Sequence, residues 1–417
     1  MLFENATYYT TKGLAKGNLT VKDGRVYLSG EYSSSDGPKT DAKELLIVPG
    51  FVDVHVHLRE PGFFYKESIA TGTECGARGG YTDLCSMPNL NPVPDSVEHL
   101  RRQTEIIDAD ARINVHPYGA LTVGEKGEEL SDIEGLSDKV IAFSDDGKGV
   151  QNSEIMREAM LRVRRCGKII AAHCEDETLL DGGYIHKGRY AEEHGHRGIS
   201  SESEWKMIER DVALAGETGV KYHVCHVSTA ESVEIIRRAK ASGVDVTCET
   251  APHYLTLCED DLREEGRFKM NPPLRSTRDR DALVAALADG TVDMIATDHA
   301  PHSDEEKARG LKDSLMGVIG LESSFAVLHT ELVLPGKISL ERLIEAMSTA
   351  PAMRFGIPGG DIFDGAPANL AVIDLSREWT VKGAESASKG NSTPFEGKRV
   401  RGKVIMTLVN GDTVWKK

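Results

Sequence analysis

Hydrophobic positions along the chain gather into short runs that end in polar clusters, each followed by a turn and a stretch with helical spacing. The runs are FVDVHVH (51–57), GYTDLCSMPN (80–89), RINVHPYGA (112–120) and VIAFSDDG (140–147). They continue with KIIAAHCED (168–176), KYHVCHVS (221–228), DVTCETAPH (245–253) and DMIATDHAPH (293–302). All are short and rich in Val, Ile, Thr or Tyr, as strands are. Between them, 95–108, 153–166, 230–242 and 277–289 read as helices. Ser153 and Thr229 are the expected N-caps of two, and Glu231 and Glu234 suit the positive N-terminal end of one. Strands alternating with helices eight times over predict an α/β fold, a parallel (β/α)8 TIM-type barrel spanning residues 50–359.

The flanks lack that rhythm. Residues 1–49 and 360–417 hold strand-like runs such as NLTVKDGRVYL and RVRGKVIMTLVNGDTVW, punctuated by Asp-Gly and Asn-Gly pairs that favour tight hairpins. Both ends together are expected to form one small β-sandwich, with the barrel inserted between them. Ser386–Pro394 is expected to be a surface loop.

The chain has 417 residues and a net charge of −16, which argues against nucleic acid or anionic membranes as partners. No run approaches the roughly 20 apolar residues that cross a bilayer. The start, MLFENATYYTTKG, lacks a basic segment followed by an apolar one, so a cytoplasmic location is expected. Seven cysteines without a Cys-x-x-Cys pair read as reduced thiols, most of them buried.

A parallel barrel carries its active site at the C-terminal ends of its strands. The polar endings then converge: His55 and His57, Asn89, Asp145 and Asp146, His173, His226 and Asp298. His55 and His57 lie two apart, so strand alternation turns both inward. Imidazoles and carboxylates without thiolate suit Zn²⁺, with Mn²⁺ or Co²⁺ as substitutes. Cys174 and Cys225 are expected to face the helices. Asp145 or Asp146 would bridge two metals, since no lysine lies in that run before its turn.

The remaining histidines draw plainer expectations. His186, His194 and His196 read as a solvated polar loop, and His99, His116, His223 and His329 as structural. His253 reads as structural too, although its place at the end of the seventh run leaves open that it lines the pocket. Residues 303–317, charged and poor in apolar anchors, predict a mobile loop beside the mouth that can act as a lid.

At HVHLREPG (55–62), SMPN (86–89), FSDDG (143–147), AHCED (172–176), CHVST (225–229), KMNPPLR (269–275) and ATDHAPH (296–302) the chain resembles the type I dihydroorotases of the amidohydrolase superfamily. Weaker similarity reaches the flanks, as in NSTPFEGKRVRGKV (391–404). The resemblance implies two divalent metal ions, zinc foremost, with His55, His57 and Asp298 holding one, His173 and His226 the other, and Asp146 between them. It implies substrate contacts from Arg59, Asn89, Asn271 and His302. The family's backbone contact falls at Met316 and Gly317, where the common Ala-Pro-Phe-Gly is replaced by Ser314-Leu315-Met316-Gly317.

The implied reaction is the reversible cyclisation of N-carbamoyl-L-aspartate to (S)-dihydroorotate in pyrimidine synthesis. A hydroxide between the metals attacks the ring amide, with Asp298 as general acid and base. Arg59, two residues beyond His57, would fork onto the substrate carboxylate. The partner is thus a small anionic substrate, and the resemblance leaves open a homodimer and an association with aspartate carbamoyltransferase. The competing readings are an allantoinase or hydantoinase and a non-catalytic barrel that scaffolds that carbamoyltransferase.

Overall fold

The structure, a computed structural model, describes residues 1–28 and 37–417. The first strands are β1 (Leu2–Thr10), β2 (Gly13–Lys22), β3 (Arg25–Tyr27), β4 (Lys39–Asp41) and β5 (Leu46–Pro49). The last are β17 (Leu370–Thr380), β18 (Arg399–Val409) and β19 (Asp412–Lys416). They join in one hydrogen-bonded path, β19-β18-β17-β5-β1-β2-β3, with β4 beside β1. Asp23-Gly24 and Asn410-Gly411 turn the β2–β3 and β18–β19 hairpins with positive φ at both residues, as a two-residue I′ turn demands. The strands enclose an apolar core of Phe3, Leu19, Val26, Ile47, Leu370 and Leu408. Alternation along β5 sends Ile47 into this core and Leu46 and Val48 into the barrel's. That one strand therefore couples the two units.

The barrel strands are β6 (Phe51–Val56), β7 (Tyr81–Ser86), β8 (Asn114–Pro117), β9 (Gly119–Ala120), β10 (Phe143–Ser144) and β11 (Ile169–Ala172). After a small parallel pair in a loop, β12 (Ile185–His186) and β13 (Gly198–Ile199), come β14 (Lys221–Val224), β15 (Val246–Thr250) and β16 (Met294–Ile295). The third predicted run is broken at Tyr118: β8 pairs with β7, and β9 with β10. Its two pieces act as one barrel strand, which makes eight. Between the first and the last, the His57 N–H donates to the His299 carbonyl at 2.9 Å. The buried Asp53 carboxylate accepts from Thr297 of the last segment and from the His55 N–H, so a strand-interior acid helps close the barrel.

Helices Val97–Asp110, Ser153–Arg165, Ala230–Ala241 and Thr277–Asp289 lie between the strands close to their expected positions. Thr229 caps its helix by accepting from the Ser232 N–H. The cap expected at Ser153 is instead Asn152, whose side chain accepts from Glu154 and Ile155; the amide reaches the second and third N–H groups from one residue earlier. Below the mouth the interior is filled by Val52, Val54, Met87, Tyr118 and Ala171, and Phe355 closes it. Each such large side chain contributes about 1.5–3 kcal/mol by leaving water.

Two expectations about the periphery change. Ser386–Pro394 is not a plain surface loop: Ser388, Gly390, Thr393 and Pro394 are buried. Ser388 and Lys389 donate to Glu67, which strings the segment across the barrel as a strap. Cys225 faces into the barrel rather than the helices, because the first residue past β14 lies on the same inward side as the mouth residues. Cys174 does pack in the outer core, 3.5 Å from the Tyr222 hydroxyl. All seven cysteines are free, and six of them are buried.

Candidate active site

The C-terminal strand ends bring six side chains into one buried cluster. His55 Nε2 lies 3.3 Å and His57 Nε2 3.5 Å from the two oxygens of Asp146. His226 Nε2 and His173 Nδ1 lie 3.7 and 3.9 Å from its Oδ1, and 3.0 Å from each other. Asp298 Oδ1 stands 3.2 Å from His57 Nε2 and 3.7 Å from His55 Nε2. Donor atoms thus form two sets, His55–His57–Asp146 and Asp146–His173–His226, which share Asp146. Asp145 turns away and accepts from the Leu121 N–H and from the N–H and hydroxyl of Thr122. Tertiary contacts thus place Asp146, the aspartate that the resemblance implied, among the imidazoles, where spacing alone left the two equal.

Electrostatics match this arrangement. Burial opposes the charge of Asp146, yet the imidazoles of His55, His226 and His57 hold its carboxyl well below the usual range. Burial likewise opposes the charge of Asp298, and the hydrogen bond from His57 with the nearby imidazoles lowers it. Both are carboxylates at neutral pH. Arg59, His226 and Asp298 have φ of 60°, 33° and 48°, a left-handed backbone that non-glycine residues rarely adopt. Such strain is held where the surrounding structure over-determines a side chain's direction. It, rather than simple alternation, aims Arg59.

The sequence reading missed the group that orients His55. Glu249, inside β15, accepts from His55 Nδ1 at 2.8 Å and from His223 Nε2 at 3.0 Å. Despite burial, those two hydrogen bonds pull its pKa to about 2. With Nδ1 so occupied, His55 presents Nε2 to Asp146. The available signal was a lone acid within an apolar strand, which is rarely left buried without a partner. Glu175 was also missed as a partner: it lies 3.5 Å from His173 Nε2 and accepts from Asn271 Nδ2 at 3.0 Å. Asn89 joins His57 Nδ1 at 2.8 Å to Asp146 at 3.1 Å.

Arg59, His302, Met316 and Gly317 form the opposite wall. Arg59 Nε donates to the Pro301 carbonyl at 3.2 Å. His302 Nε2 donates to the Met316 carbonyl at 2.7 Å while its Nδ1 accepts from Lys66 at 3.2 Å. Burial and the neighbouring cations Arg59 and Lys66 push this imidazole down to about 3, so it is neutral. The Gly317 N–H is engaged by the Lys269 carbonyl at 3.0 Å. Residues 303–317 contain two short helices, Asp304–Lys307 and Gly310–Asp313. Leu311 is buried, and Lys307 Nζ donates to the carbonyls of Lys269 (3.0 Å) and Leu315 (2.7 Å). The anchors absent from the hydrophobic pattern are polar.

His253 is buried, and burial lowers its pKa to about 4. The loop histidines are less solvated than expected. His186 is buried beside Arg275, and His196 is held between the Tyr184 hydroxyl and Glu264. His194 stacks on Tyr190.

The residues present fit a metal. His55 Nε2 and Asp146 Oδ1, which face each other in the cluster, are buried without a hydrogen-bond partner. An unpaired buried polar atom costs about 1–3 kcal/mol, which coordination would relieve. Cys225 comes near His55 and Glu249, but burial pushes its thiol to about 12, which leaves it protonated. The donors are therefore imidazole and carboxylate, the set that holds divalent ions such as zinc.

The family described as dihydro-orotase-like matches residues 44–232. Dihydroorotases of Bacillus cytotoxicus and of Bacillus cereus (strain B4264) are each 45% identical over 420 residues, covering 100% of this chain and 98% of theirs. Among solved structures, the L-hydantoinase (dihydropyrimidinase) from Arthrobacter aurescens aligns with a TM-score of 0.89 at 27% identity, covering 100% of this chain and 96% of that one. Dihydropyrimidinase from Brevibacillus agri, at 23% identity and a TM-score of 0.87, shares the fold.

Proposed function

Since the chain belongs to the dihydroorotase family, we propose that it interconverts N-carbamoyl-L-aspartate and (S)-dihydroorotate at this barrel mouth, as a step of pyrimidine synthesis. The observation that carries the reading is one carboxylate, Asp146, shared by two sets of buried imidazoles in a full-length relative of dihydroorotases. His55, His57 and Asp298 would hold one divalent ion and His173 and His226 another, with Asp146 between, and the donor set favours zinc. When bound, such ions polarise the ring carbonyl and make water acidic enough to attack near neutral pH.

The chain's own groups move the protons. Asp298, ionised and buried at the rim, accepts the proton that water loses as it attacks the ring carbonyl. It returns that proton to the ring nitrogen as the C–N bond breaks, and ring closure runs the same transfers in reverse. Arg59 offers its guanidinium fork to the substrate carboxylate. Asn271 Oδ1, buried without a partner, can accept from a ring N–H. His302 and the Met316–Gly317 backbone stand beside Arg59 with their polar groups already paired, so the ring exchanges partners there rather than filling a vacancy. Residues 303–317 would close over the mouth; hydrogen exchange there as slow as in the barrel strands would rule out a lid.

The purified chain should open dihydroorotate, lose that activity on chelation and regain it with zinc. Because a site built around a carboxylate rejects analogues that lack it, hydantoin and allantoin should turn over at least about 100-fold less efficiently. Faster turnover of either would move the chain to the hydantoinase branch, and chelator-insensitive function would favour a scaffold. The same reading includes a cytoplasmic location, and it admits a homodimer or a complex with aspartate carbamoyltransferase. Sedimentation with and without that enzyme resolves both.

A further inference from the structure

Away from the mouth, a cavity of about 420 Å³ opens where the barrel meets β17, β18 and β19. Its size is that of a small-molecule pocket. Lys403 of β18 sets its ammonium 3.7 Å from the centre of the Trp379 ring, and among the described residues no carboxylate lies within ion-pair distance of it. Its neighbour on the wall, Arg78, spends one terminal nitrogen on Glu74 at 2.6 Å, and its buried Nε has no partner. Two carboxylates share the wall: Glu322 is committed to Ser386 and the Ala387 N–H, and Glu385 pairs with Lys382 at 2.7 Å. Trp415 completes an aromatic lining, and its indole N–H is unengaged among the described residues.

An ammonium over an indole face is stabilised by the ring, and the wall carboxylate that attracts it, Glu322, makes no direct ion pair with it. The partly exposed Arg78 guanidinium on the same wall adds a second positive charge. Two tryptophans beside them offer flat apolar surface. Together these features describe a receptor for an anionic group attached to a flat ring.

We propose that this cavity is a second ligand site, distinct from the barrel mouth, for a small aromatic anion whose charged group meets Lys403 and Arg78 while its ring packs against Trp415. One wall is the strap: Ser386 and Ala387 hold Glu322, and two residues later Ser388 holds Glu67, which lies 3.4 Å from His299 Nε2. The strap's Gly390 rests against Pro301 and the His302 carbonyl. The site is therefore joined to the substrate wall by continuous contacts. The inference does not rest on the reaction proposed above.

Two of the three tryptophans line the cavity, so intrinsic fluorescence reports on it directly. Titration of the full chain with phenyl phosphate should give a saturable change in tryptophan emission, at a concentration at least about tenfold lower than inorganic phosphate requires, or about 1.4 kcal/mol tighter. Lys403→Met should weaken binding by a similar factor, Lys403→Arg should retain it, and Arg59→Met should leave it unchanged. If the Lys403→Met protein melts at a lower temperature, Trp415→Leu at the rim carries the same test. No saturable change, equal binding of the two phosphates, or a change insensitive to Lys403 and Trp415 would overturn the proposal. Loss of the signal in Arg59→Met would assign the ligand to the mouth and overturn it as well.

Discussion

On one side of the barrel mouth, His55, His57, Asp146, His173, His226 and Asp298 stand on strand ends, and several of their inward atoms are left unpaired. On the other, Arg59, Lys66, His302 and Met316 stand on loops and occupy one another. The strand-end half is supported from behind: Glu249 fixes His55, Asn89 fixes His57, and Asp145 ties its loop to Thr122. It is rigid and short of partners, as befits a cation site. The loop half is satisfied in itself, so a substrate must replace contacts there. On the function proposed above, the first half would fix the chemistry and the second would select the ring.

Substitutions in the two halves should therefore fail in different ways. The largest effect is expected from Asp298→Asn, which removes the proton carrier: kcat for dihydroorotate should fall about 10³-fold or more. A fall below tenfold would reduce Asp298 to a ligand. Next, Glu249→Gln keeps the shape and removes the charge behind His55. Metal affinity, measured by competition with a chelator, should drop about 10–100-fold. Unchanged affinity would show that β15 merely packs there.

In the loop half, Arg59→Met should raise KM for dihydroorotate by about tenfold or more while metal content stays the same, because only the substrate carboxylate loses its fork. A lost metal would erase the distinction between the halves.

The smallest effect is read from stability. Burial, with Lys269 nearby, lowers Lys307 to about 7, so the folded chain sheds this proton before the unfolded chain does. Between about pH 7 and the usual lysine value the unfolded state binds more protons, so stability rises with pH across that window, by up to about 1.4 kcal/mol per unit. Urea midpoints of Lys307→Met should lack this rise. Parallel profiles for the two proteins would show that Lys307 stays charged on its carbonyl partners.

Much of this site was legible because strand ends in a parallel barrel converge by topology. Once the eight runs were recognised, His55, His57, His173, His226 and Asp298 had to share one rim. Asn89 and Arg59 came from motifs, which carry position without contacts. Glu249 escaped because it lies inside a strand, where the apolar pattern hides a single acid. The strap escaped because Ser386–Pro394 is polar in composition and buried only through Glu67 and the loops above the barrel. The cavity lined by Trp379, Lys403 and Trp415 draws on residues from three strands and the end of a barrel helix. No local pattern could announce it.

By itself, the sequence determined the alternation of strands and helices, the hairpins at Asp23-Gly24 and Asn410-Gly411, and the set of imidazoles and carboxylates at one rim. These follow from side-chain periodicity and turn chemistry, which act over a few residues. Only the tertiary structure decided that Asp145 turns away to Thr122 while Asp146, named by the motif alone, meets the imidazoles, that Cys225 faces inward, and that Glu249 orients His55. Each depends on which atoms distant in the chain come within about 3 Å of one another, and hydrogen bonds and charges discriminate at that range.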